Sequence, residues 1–204
     1  MITFDMPAWM QAAQIDFGLQ KAGVQFRGPF NGTLQGVDFV AERWVASITL
    51  PPRKSAAAGG VEALFNQLAG GVNRLRLPHL GSGTRRDPYM PRGTLRGVPT
   101  LRLAAVRGDL TLALENCAFG ATLQAGDMVG CGTQLLMIGS DATANGSGQM
   151  TASLVNRIRG PLAIGTALVW NRPTATFVMP ALSVRHVHIP AFLASGQFDL
   201  EEAW

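Results

Sequence analysis

Residues able to do chemistry are few in this chain, and their spacing does not bring them together. His186 and His188 stand two apart in SVRHVHIP, so in a strand both rings leave the same side, a spacing that metal sites on sheets use. A metal asks for at least a third ligand, and only His79, Cys117, Cys131 and scattered acids could supply it. A histidine pair at a surface or interface is the better reading. The two cysteines are too few for a disulfide framework and form no C-x-x-C pair, so free, partly buried thiols are expected. They sit in apolar, glycine-rich stretches with no neighbouring base. No G-x-S-x-G elbow and no G-x-x-x-x-G-K-[ST] loop occurs, and Glu201 and Glu202, being adjacent, point to opposite faces of any extended segment. The expectation is a protein that is not an enzyme and uses no cofactor and no metal.

The strongest electrostatic feature is NRLRLPHLGSGTRRDPYMPRGTLRG, from Asn73 to Gly97. It sets Arg74, Arg76, Arg85, Arg86, Arg92 and Arg96 against a single acid, Asp87, in a chain of net charge +4 whose only lysines are Lys21 and Lys54. Arginine's planar fork suits phosphates and protein carboxylates alike. A single-strand binder interleaves its arginines with aromatic platforms, yet besides His79 this stretch holds only Tyr89. Pro78, Pro88 and Pro91 punctuate it instead, as in an ordered connector. All six arginines are therefore expected at a subunit interface, paired with acids across the boundary; nucleic-acid binding through residues 73–97 is the weaker alternative.

These side chains must be positioned by a mainly β scaffold. Glycine at 24, proline at 12 and charged residues at only 15% favour short strands and tight turns, and 47% hydrophobic residues suffice for a core. GVQF, PFNGTLQGVDF and RWVASITL read as strands; in the last, Trp44, Ala46, Ile48 and Leu50 share one face until Pro51 and Pro52 end it. One helix stands out in AAAGGVEALFNQLAGG, where Val61, Leu64, Phe65 and Leu68 form an apolar stripe and Gly70–Gly71 stops the run. VNRLRLP returns to alternation, with Leu75 and Leu77 inward and Arg74 and Arg76 outward.

Beyond Gly97 come short apolar runs divided by small polar turns, among them SDATANGSGQ, which reads as a hairpin end. The terminal GQFDLEEAW alternates Phe198 and Leu200 with Gln197, Asp199 and Glu201, and such a strand must pair with an earlier sheet. The expected organisation is a discontinuous domain, residues 1–97 and 167–204, interrupted by an inserted small β unit, residues 98–166. The opening MITFDMPAWMQAAQ lacks the pattern of a signal peptide, and no apolar run is long enough for a membrane helix. A protein made in the cytoplasm, soluble and without a membrane partner is expected.

The succession of a helix ending QLAGGVNRLRL, the connector PRGTLRGVPTL, the unit containing LQAGDMVGCGTQLLMI, the return ALVWNRPTATFVM and the close FDLEEAW resembles distal tail proteins of long-tailed bacteriophages. The resemblance runs from Asp16 to Trp204. It implies a β-sandwich or barrel-like domain with one α-helix, carrying a second, barrel-like β domain, and a homo-hexameric ring at the tip of the tail. It further implies a structural virion protein, assembled in the host cytoplasm, that joins the tail tube protein to the tail-tip hub protein of the baseplate and leaves a channel for DNA. Members that bind cell-wall carbohydrate present aromatic residues on the outer domain. Residues 98–166 and their exit offer only Phe119 and Trp170, so host-surface carbohydrate binding is the alternative and not the first reading.

Overall fold

A computed structural model describes residues 1–7, 12–29, 31–78, 92–94, 97–182, 188–189, 192–193 and 196–203. In chain order, β1 (Thr3–Asp5), β2 (Gln14–Arg27), β3 (Leu34–Thr49) and β4 (Arg53–Lys54) lead into helix α1 (Ser55–Leu68) and strand β5 (Arg74–Pro78). Next come β6 (Gly97–Leu101), β7 (Thr111–Cys117), β8 (Thr122–Leu123), β9 (Met128–Cys131) and β10 (Gln134–Met137). They are followed by β11 (Ala142–Thr143), β12 (Met150–Ser153) and β13 (Leu168–Val169). The chain closes with β14 (Thr174–Val178), β15 (His188–Ile189), β16 (Phe192–Leu193) and β17 (Gln197–Glu202). The protein is mainly β, with a single α-helix among the described residues.

Two compact units divide the chain: residues 1–18, 44–90 and 172–204 form the first, and residues 19–43 and 91–171 the second. The sequence pattern instead places residues 19–43 with the first domain and begins the second at 98. Arg157 explains the difference: its guanidinium lies 2.5 Å from the Asp38 carboxylate and its backbone N–H donates to Glu42 Oε2 at 2.9 Å, tying the β2–β3 hairpin to the second unit.

One six-stranded sheet has the order β1-β5-β14-β17-β3-β2, with β1 parallel to β5 and β14, β17 and β3 joined antiparallel; β2 beyond Gly18 and β3 before Trp44 are counted in the second unit. The expected alternation is met: Trp44, Ala46, Ile48 and Leu50 are buried, as are Leu75, Leu77, Phe198 and Leu200. β3 is one continuous strand through two stretches that the sequence reads separately. The helix buries Val61, Leu64, Phe65 and Leu68, and Phe65 stacks face to face on Phe198 with ring centroids 3.4 Å apart. Gly70 ends it at φ 80, a left-handed conformation that glycine adopts without Cβ strain, and donates its N–H to Ala181 O. Phe17 stacks on Trp44 at 5.0 Å and meets Phe177 edge-on at 6.2 Å.

The second unit contains a closed barrel. β12, β7 and β6 form one antiparallel sheet, and β10, β9 and β13 another. Bridges Thr100↔Ala167 and Ile138↔Leu154 join their two pairs of edges, β6 to β13 and β10 to β12, completing the circle. Leu112, Leu114, Val129, Leu136, Ala152 and Leu168 fill the interior with Cys131. The loop of SDATANGSGQ closes through Asn145 N–H to Gln149 O at 2.9 Å, but its flanking strands pair elsewhere, β11 with β8 and β12 with β7. It is a corner between sheets and not the end of a two-stranded hairpin.

Candidate functional site

The β2–β3 hairpin carries the most distinctive surface. Gly28 N–H donates to Thr33 O at 2.8 Å and closes its turn. Counting back along each strand from that pair sets Val24 opposite Val37, in agreement with the closeness of Gly23 to the Val37 carbonyl. Period-two alternation then places Val24, Phe26, Val37 and Phe39 on one face, at 43%, 58%, 50% and 49% exposure. On β3 the alternate residues Asp38 and Glu42 take the opposite face. There Arg157 binds both carboxylates, and Arg107 donates to Val40 O at 3.1 Å. The hairpin is thus pinned through charge on one side and apolar on the other. Sequence reasoning missed this surface, although the signal is present: Gly23-Val24-Gln25-Phe26 and Gly36-Val37-Asp38-Phe39 repeat the pattern G-V-x-F about the Asn31–Gly32 turn.

The described arginines of the stretch are divided between the two units. Arg74 and Arg76 project from β5 in the first unit, and Arg76 pairs with Asp5 at 3.0 Å, both side chains well exposed. Arg92 belongs to the second unit, where its guanidinium donates to Ala125 O. Arg85, Arg86, Arg96, His79, Tyr89 and His186 lie outside the described residues. What organises the described end of the connector is an acid that sequence reasoning passed over. Asp127 is fully buried and accepts Arg92 N–H at 2.8 Å, Gly93 N–H at 2.9 Å and Gln124 N–H at 2.8 Å.

Glu201 and Glu202 part as their adjacency requires. Glu202 is buried and takes the Trp44 N–H at 3.0 Å, whereas Glu201 lines a shallow groove of about 470 Å³ with Asp16, Val45, Ser47 and Asp199. Among the described residues no three His, Cys, Asp or Glu side chains stand close enough to hold a metal. Cys117 and Cys131 are free and buried. Burial raises both thiol pKa values, that of Cys131 to about 11, which keeps them protonated and unreactive near neutral pH. Phe119 is 85% exposed, and Trp170 packs partly buried against the barrel core. No described helix is long and apolar enough to cross a membrane. No protein-family model matches the chain, and no curated protein matches it.

Proposed function

We propose that this chain is a structural subunit of a bacteriophage tail tip, forming a homo-hexameric ring between the tail tube and the tail-tip hub and leaving a channel for DNA. The observation that carries this reading is the outward face of Val24, Phe26, Val37 and Phe39. Four large apolar side chains held side by side on a braced hairpin are what an assembling subunit presents, and contiguous apolar surface of this kind marks sites of protein association. A cyclic ring needs two different, complementary faces on each protomer, and the hairpin supplies one of them. Its attachment through Arg157 to Asp38 and the buried Glu42 fixes the geometry before assembly, which lowers the ordering cost of association.

Negative-stain electron microscopy of the purified protein tests the reading: rings with an open centre are expected. A monodisperse monomer at high concentration, both alone and after addition of tail tube protein, would overturn it. A saccharide captured on a glycan array by a protein that forms no ring would move the reading to host-surface recognition.

A further inference from the structure

We propose that Asn145–Gly146 is a self-modification site, at which the folded second unit slowly converts its own asparagine to aspartate and isoaspartate. The chain holds two Asn-Gly pairs, Asn31–Gly32 in the β2–β3 turn and Asn145–Gly146 between β11 and β12. In such a pair the glycine nitrogen can reach the preceding carboxamide carbon, because glycine brings no Cβ to obstruct a five-membered ring. At Asn145 both reaction partners are prepared. Its Oδ1 accepts the Ser147 N–H at 3.0 Å and the Gln149 N–H at 2.9 Å. These donors already point at the oxygen that becomes an oxyanion when Gly146 N attacks Cγ. Gly146 is exposed, a Cβ on it would meet nothing within 4 Å, and among the described residues no acceptor takes its N–H.

Asn31 offers the contrast. Its Oδ1 is also held by two donors, Thr33 N–H and Thr33 Oγ1. The nucleophile, however, is engaged, because Gly32 N–H donates to Gly28 O at 3.0 Å and that bond must break before attack.

The step balances without any co-reactant except water. Gly146 N loses its proton to solvent base and bonds to Asn145 Cγ, the Cγ–Nδ2 bond breaks, and ammonia leaves, giving a succinimide. Water then opens the ring at either carbonyl. Opening at one restores the backbone with an aspartate, and opening at the other leaves an isoaspartate with an extra methylene in the main chain. That methylene enters a loop closed by Gly148 N–H to Asn145 O at 3.0 Å, whose Gly148 O accepts Cys117 N–H at 3.0 Å. Accumulated isoaspartate therefore loosens the corner that carries β12 onto β7.

The test is incubation of the full-length folded protein in mildly alkaline buffer, with peptide mapping by mass spectrometry and isoaspartyl methyltransferase labelling over time. Conversion at Asn145 is expected to run several-fold faster than at Asn31, and the two rates are expected to converge in urea. Equal rates in the folded protein, faster conversion at Asn31, or a difference that survives in urea would each overturn the inference. Gly146→Ala, for which the site has room, is expected to slow conversion at Asn145 several-fold while thermal unfolding stays unchanged; undiminished conversion in that variant would also overturn it.

Discussion

Asp127 shows at the residue scale how one buried side chain can fix a connector. With three backbone N–H groups ending on its carboxylate, Asp127→Ala leaves those donors without their acceptor and is expected to cost about 3 kcal/mol, measured by denaturant unfolding. Cys131 sets a different test. Its thiol ionises near pH 11 in the folded protein against an ordinary 9.0, so the folded state keeps a proton that the unfolded chain gives up. Its contribution to stability is whole below pH 9 and is lost as pH rises from 9 to 11. Thermal unfolding should therefore fall more steeply across that window in the wild type than in Cys131→Ala. Buried thiols were legible from their apolar surroundings. Asp127 was not, because a lone aspartate in QAGDMV reads as a turn residue, and only the folded chain shows which N–H groups from elsewhere reach it.

Periodicity made most of the regular elements legible: the stripe of α1, the inward leucines of β5 and the alternation of β17 all follow from local pattern. The hairpin was half legible. Its strands were visible, but which face stays open depends on Arg157, more than a hundred residues away in the chain. Arg157→Ala removes the ion pair with Asp38 and leaves the Glu42 carboxylate buried without that guanidinium. Because the Arg157–Asp38 pair is part-exposed, a loss of only about 1–2 kcal/mol is expected. The sharper readout is hydrogen exchange, which should quicken across residues 34–43. Gly23→Ala tests the strand pairing itself. A Cβ there would lie 2.8 Å from Val37 O, and an overpacking cost of about 2 kcal/mol is expected, whereas Gly36→Ala meets open space and should be nearly neutral.

For the whole molecule, the proposed ring makes the apolar hairpin face the decisive surface. The double variant Phe26→Asp, Phe39→Asp should keep the circular dichroism of the wild type yet fail to assemble, as read by light scattering coupled to size-exclusion chromatography. Fold class was legible from composition, but the boundary between the units was not: contact between residues far apart in sequence sets it, and local texture does not report such contact. The sheet order holds one further consequence. β17 lies between β14 and β3, so without residues 197–202 the six-stranded sheet falls into two unjoined pieces, β1-β5-β14 and β3-β2. The barrel of the second unit needs nothing beyond Val169 to close its circle. On the ribosome the barrel can therefore complete itself while the sheet still waits for its keystone, and a nascent chain stalled before residue 197 should resist protease in the barrel but not in β1, β5 and β14.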